Sequence, residues 1–304
     1  MLLEDLLLAL IEDPDSLTES DYLQLSDLNE TELQQFKLAW GDLDTQHQQK
    51  LILHLYELGE QNSELNFESI YKYAMDSEDE NIVYASLDGL WESETHDTLR
   101  KLIRVIETDK ISAHIKGATF THFSRFLLLG LDGKIDSNLI SVVHSILKQH
   151  FSDIEQPVEV RRRALEALAN IDDEQTTGYI KQAYISDITA LKVSAIYAMG
   201  KTCNTQWLPL LVEELNSEEP EIRYEAVDAI VEIGDDSIIN DLVPLLDDDD
   251  YQVKLTTISG LGKLGGLIAK EALITYLNDE DQEIIDLVTT ALEDIAFIED
   301  PLGL

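Results

Sequence analysis

Few stretches of this sequence hold residue types that chemistry uses. Gly260-Leu-Gly262-Lys-Leu-Gly265 has the spacing of a dinucleotide-binding loop, whose backbone N–H groups cradle a pyrophosphate. That chemistry needs a strand before the loop and a helix after it. Here the glycines close a helical pattern, and Gly265 shares a column with Gly234, a helix C-cap position, so the run reads as packing and capping. The carboxylates Asp247–Asp250 are oxygen donors of the kind calcium takes, but they lack the alternating D-x-D-x-D-G loop that folds around an ion. Just before a helix they favour its positive end instead. The seven His residues form no H-E-x-x-H and no Cys/His cluster, and His96, His114 and His122 read as separate surface histidines. Cys203 is the single cysteine and no G-x-S-x-G elbow occurs, so neither a disulfide nor a covalent nucleophile is indicated. The sequence therefore predicts a non-enzymatic chain with no catalytic residue, no metal and no cofactor.

The elements that would position any site are repeated helices. Val160, Leu191, Ile222, Val253 and Ile284 stand 31 residues apart. Four residues after each come Ala164, Ala195, Ala226, Thr257 and Val288, and seven after come Ala167, Ala198, Ala229, Gly260 and Ala291. Offsets of 0, 4, 7, 8 and 11 define one helical face, and the small residues on it let neighbouring helices approach closely. A second helix follows in each unit, as in Leu208–Leu215, Ile238–Leu246 and Ala269–Leu277, with acidic turns between units. Looser copies begin near 47, 82 and 115. The step from 115 to 160 is 14 residues longer than the period, which predicts an insertion near 127–138. Residues 1–45 are expected to form an N-terminal helical cap, with Asn29 and Glu32 spaced as a capping box, and 46–304 the array. Such helices cannot bury their faces alone, so stacking must supply the core.

Composition narrows the function classes. A formal net charge of −40 repels phosphate backbones and anionic lipid surfaces, which argues against nucleic-acid and membrane partners. No stretch approaches the roughly 20 apolar residues a membrane helix needs, and Glu4 and Asp5 interrupt the apolar start, so a cytoplasmic location is expected. Residues 100–163 depart from this balance: they are net +4 and include Arg161, Arg162 and Arg163. This island predicts a docking point for an acidic segment or an anionic ligand, with Arg162 and Arg163 free to meet it.

Segments such as Glu219-Pro-Glu-Ile-Arg-Tyr-Glu-Ala-Val-Asp-Ala-Ile-Val-Glu-Ile-Gly-Asp235 resemble HEAT repeats, especially the phycobilisome-lyase HEAT-like subgroup, over 157–300. The resemblance implies an all-α fold, an α-solenoid wound as a right-handed superhelix. It implies a ladder in which the basic residue after the first apolar position (Arg161, Lys192, Arg223, Lys254) bonds an acidic turn residue. It also implies that the first helices line a concave side. Positions 2, 6 and 9 then point away from the core, which nominates Tyr84, Trp91, Arg162, Tyr197, Tyr224 and Leu255, together with Arg163, as partner-binding residues. The sequence expectation is thus an acidic scaffold or adaptor binding a protein partner through that side. An enzyme or enzyme subunit of the bilin-lyase type, acting on a tetrapyrrole, is the alternative, and a structural part of a larger assembly a third. Asp248, in an acidic turn, is expected to be solvated and of little weight in stability.

Overall fold

The computed structural model of the 304-residue chain describes residues 2–108, 111–171 and 173–300, and every regular element among them is helical. The helices pack as two compact units, Met1–Ile146 and Leu147–Leu304, with the division falling inside one helix.

The first unit contains α1 (Leu3–Glu12), α2 (Glu19–Tyr22), α3 (Glu30–Asp42), α4 (Thr45–Gln61), α5 (Glu68–Ala74), α6 (Glu80–Gly89), α7 (His96–Ile106), α8 (Ala113–Leu131) and the start of α9 (Ser137–Ser152). The capping box forms as its spacing requires. Asn29 accepts from the backbone N–H groups of Thr31 and Glu32, and Glu32 accepts from that of Asn29 at 2.9 Å. On α4, Leu51, Ile52, Leu55 and Leu58 are buried, and this helix stacks on α6, which stacks on α8. The surplus near 127–138 is no long loop. α8 runs 19 residues to Leu131 and α9 a further 16, so the extra length goes into helix.

The second unit holds the regular repeats: α10 (Val158–Leu168), α11 (Glu174–Tyr184), α12 (Thr189–Lys201), α13 (Leu208–Glu214), α14 (Pro220–Ile233), α15 (Ile239–Leu242), α16 (Tyr251–Leu264), α17 (Gly266–Ile274) and α18 (Gln282–Glu299). The even-numbered helices stack in succession from α10 to α18, and the odd ones back them. Val160, Leu191, Ile222, Val253 and Ile284 are all buried, as are the small residues at offsets 4 and 7. The packing is that of a HEAT-type solenoid.

The acidic turns have a structural use. Asp173 caps α11, and Asn204 and Asp235, at the same place in the next two repeats, cap the short 3-10 turns that lead into α13 and α15, while Asp250 and Asp281 cap the first helices α16 and α18. Each side-chain oxygen accepts a backbone N–H that the first turn leaves unpaired. Just past the ends of α12, α14 and α16, Cys203, Gly234 and Gly265 all have positive φ, at 50°, 76° and 73°. The chain takes a positive φ after these three first helices, and in one repeat a cysteine does what glycine does in the next two. The G-x-G-x-x-G run is thereby accounted for. A Cβ on Gly260 would meet Val231 at 2.5 Å and one on Gly262 would meet the Cα of Ala291 at 2.8 Å, while Gly265 ends the helix.

Candidate binding surface

On the second unit, the faces of α10, α12 and α14 turned away from the core form a continuous polar row. Its starting point is the arginine pair, and here the sequence expectation is overturned. Neither Arg162 nor Arg163 is free. Arg163 donates to Glu159 and Glu166, each at 2.9 Å. Arg162 donates to Glu159 at 3.2 Å and, through Nε, to the Ser194 hydroxyl at 2.9 Å, which in turn donates to Glu166 at 2.6 Å. The cause is helical spacing: Glu159 and Glu166 lie three or four residues from both arginines and so share their face. Arg162 still links α10 to α12, but its guanidinium is spoken for.

Arg161 is likewise engaged, donating to the Phe151 carbonyl at 3.1 Å and lying over that ring. Elsewhere in the former basic island, Lys101 pairs with Asp76 and Arg125 with Glu94. A net positive stretch of sequence therefore becomes a set of local ion pairs with acids that flank it or lie inside it. The expected bond to an acidic turn residue appears at Arg223, while Lys192 reaches the end of a helix instead. Arg223 makes a two-pronged pair with Asp248, at 2.6 and 2.7 Å, and Lys192 meets Glu214 at 2.8 Å. Asp248 is not a solvated turn residue: its side chain is 8% exposed, and the Arg223 hydrogen bonds hold its carboxyl below the usual range.

Beyond the arginines the row is aromatic and acidic. Tyr197 on α12 is half-buried, with the Lys201 ammonium 5.6 Å from its ring. Tyr224 on α14 is 39% exposed, and Leu255 on α16 is half-buried. Between them lies Glu225, which sequence reasoning missed. Burial first, then the charges of Asp228, Glu166 and Glu221, push its carboxyl up to about 7, and among the described residues it has neither hydrogen bond nor ion pair. Nothing in the one-dimensional pattern singles it out. Its environment comes from three helices brought side by side.

On the first unit, Tyr84 stacks on His114 with ring centroids 4.5 Å apart, and Trp91 is 48% exposed at the end of α6. Trp91 sets its ring against the edge of His122 and carries the Arg125 guanidinium 5.8 Å over it. His122 is not a surface residue. It fills a small-residue position of the repeat, is 3% exposed, and burial holds its pKa down to about 4. His96 accepts the backbone N–H of Asp136 at 3.1 Å. Among the described residues no three His, Cys, Asp or Glu side chains are grouped as a metal would need, and no helix is long and apolar enough to cross a membrane.

These stacked pairs with interlocking small residues include the segment that the HEAT-repeat family model matches, residues 208–293. Among curated proteins, the chain is similar to human deoxyhypusine hydroxylase, 31% identical over 110 residues that make up 36% of each chain. It is also similar to the mouse protein of that name, 27% identical over 114 residues, or 37% of this chain and 38% of the relative. The matches thus span a little over a third of the length of these relatives. Among solved structures, the complex of CpcE and CpcF of phycocyanin lyase from Nostoc sp. PCC7120 superposes with a TM-score of 0.46 at 14% identity, over 75% of this chain and 94% of that one.

Proposed function

We propose that this chain is a non-enzymatic scaffold or adaptor that binds a protein partner through the outer faces of its first helices. One observation supports the reading above others. The α10–α12–α14 row presents two tyrosines and an unpaired carboxylate on a rigid, regularly stacked platform. Aromatic side chains offer large contact area at low entropic cost, which is what an interface anchor needs. A loss of a half-buried, partnerless carboxylate such as Glu225 would relieve the isolated chain, so its presence is better explained by contact with something outside it.

The test uses the intact chain. Tyr197→Ala with Tyr224→Ala should abolish capture of the native partner identified by affinity purification, while shifting Tm by no more than a few degrees. A double variant that captures normally would remove this row from the interface. A second reading, an enzyme or enzyme subunit, draws support from the partial similarity to hydroxylases, and the lyase-type subgroup with its tetrapyrrole substrate is its more specific form. A saturable small-molecule ligand, found by screening metabolites and tetrapyrroles against the purified chain, would favour that reading and displace the adaptor.

A further inference from the structure

A recess of about 350 Å³ opens in the first unit between the end of α4, the start of α5 and the end of α6. Its walls are of two kinds. Tyr56, Phe67, Tyr71 and Trp91 supply aromatic surface, and Glu60, Glu68, Asp88 and Glu92 supply carboxylates. Glu68 is a structural member, held by Thr98 at 2.8 Å, Thr95 at 3.0 Å and the Lys72 ammonium at 3.0 Å. The other three carboxylates have no ion pair among the described residues. Two of them act on the recess together: Glu60 and Asp88 both raise the Tyr56 phenol, after burial, and burial raises Asp88 itself against the opposing charge of His114.

The second observation is Tyr71. This residue is only 3% exposed, yet its hydroxyl makes no hydrogen bond among the described residues. Its ring tip lies across Gly89, where an added Cβ would meet Cζ at 2.5 Å, and both residues line the recess. Burial and the Glu60 charge keep the phenol neutral. A hydroxyl that lines the recess with no partner of its own, and with the Glu60 carboxylate acting on it, is a site waiting for donors.

We propose that this recess receives the cationic end of an arginine or lysine side chain from a basic segment of the partner protein. The proposal rests on the adaptor reading and states the chemistry of the partner. Carboxylates pair with the charged N–H groups, the Tyr71 oxygen accepts one of them, and the tyrosine rings supply aromatic surface against the cation. Trp91 and Glu92 stand at the exposed edge, so a side chain can enter while its own backbone lies along that rim. The cations described near the recess are engaged: Lys72 is taken by Glu68 and Asp97, Arg125, which lies over the Trp91 ring, by the carbonyls of Glu92 and Ser93 and the carboxylate of Glu94, and His114, whose charge acts on Asp88, stacks on Tyr84.

The experiment titrates the full chain with a peptide that has one arginine among alanines and serines, followed by the Trp91 indole N–H resonance. Its controls are the same peptide with citrulline, which keeps the shape and loses the charge, and free spermidine. The arginine peptide should shift the Trp91 signal, bind at least about tenfold more tightly than the citrulline form, and weaken as salt rises. Glu60→Gln with Asp88→Asn should cost at least about tenfold in affinity at an unchanged Tm. Trp91→Ala, at an exposed position, should do the same if the double variant fails to fold, whereas exposed Glu213→Gln on the other unit should change nothing. Equal binding of the citrulline peptide, or normal binding by the double variant, overturns the proposal. So does a Trp91 response to spermidine with none to the peptide, which would assign the recess to a small polyamine. Failure here with the native partner still captured leaves the adaptor reading standing. Loss of capture only in the Tyr197 and Tyr224 variant would place the interface on the other unit alone.

Discussion

The two units build the same helix pair in different ways. In the second, small residues bring backbones together: a Cβ on Gly200, nine residues after Leu191, would meet the Cα of Ala229, seven after Ile222, at 2.7 Å. In the first, offsets 4 and 7 hold Ser86, Thr119, Gly89 and His122. Ser86 and Thr119 hide their hydroxyls by donating to the carbonyls four residues back, at 2.7 and 2.8 Å. The glycines there meet side chains rather than backbone, Tyr71 against Gly89 and Ile140 against Gly130. Regular repeats thus close the space between helices. Irregular ones interpose bulky groups and leave recesses that a ligand can enter.

The comparison breaks first at Ala226. This residue is fully buried where α14 meets its neighbours, so Ala226→Arg should cost at least about 3 kcal/mol in chemical denaturation, through overpacking and a buried charge. A smaller loss would mean that the stacked helices of the second unit can part easily.

The ladder comes next. Asp248→Asn leaves Arg223, whose side chain is 14% exposed, without its ionic partner and should cost about 2–4 kcal/mol at pH 7. Because the Asp248 carboxyl lies below its ordinary 3.8 in the folded chain, the wild-type stabilisation is present above that pH and lost as pH falls through the folded value. The variant and wild type should therefore converge in strong acid. Parallel curves down to pH 2 would show that the pair contributes through shape alone.

Glycine substitutions sharpen the contrast between the units. Gly200→Ala must push backbone from backbone and should lose about 2–3 kcal/mol, whereas Gly89→Ala only displaces the tip of a tyrosine and should lose about 1 kcal/mol. The reverse order would show that the first unit is the more tightly locked of the two.

The last effect is a gain. Glu225 ionises at about 7 when folded and near 4.5 when unfolded. The destabilisation it causes is absent below the unfolded value, grows between the two and is complete above the folded one. Glu225→Gln should thus raise stability by about 1–3 kcal/mol at pH 8 and by nothing at pH 4, as read by urea denaturation. A gain that is the same at both pH values would show that the carboxylate is solvated.

Local rules were legible wherever a residue's partner lies within one turn or one period. The 31-residue recurrence of Val160, Leu191, Ile222, Val253 and Ile284 is enough to place five buried helices, because a hydrophobic face must find a core. The Asn29–Glu32 capping box and the left-handed turns at Gly234 and Gly265 follow from short-range geometry alone. The same short range, applied at Glu159 and Glu166, would have revealed that Arg162 and Arg163 are neutralised, since i,i+3 and i,i+4 pairs are visible in one dimension. Counting charge by segment hid it.

What only the tertiary structure decided is where unlike repeats place their side chains. Asp248 looks solvated in its acidic run, and it is the turn around it that swings it onto Arg223, 25 residues back. His122 reads as a surface histidine until α8 buries it against Leu87 and Trp91. Tyr71, Gly89, Glu60 and Asp88 belong to three different helices, and no spacing relates them. The physical reason is common to all three. Periodicity fixes which face of a helix is buried, whereas the charge and solvation of an individual side chain depend on neighbours that arrive only when the helices stack.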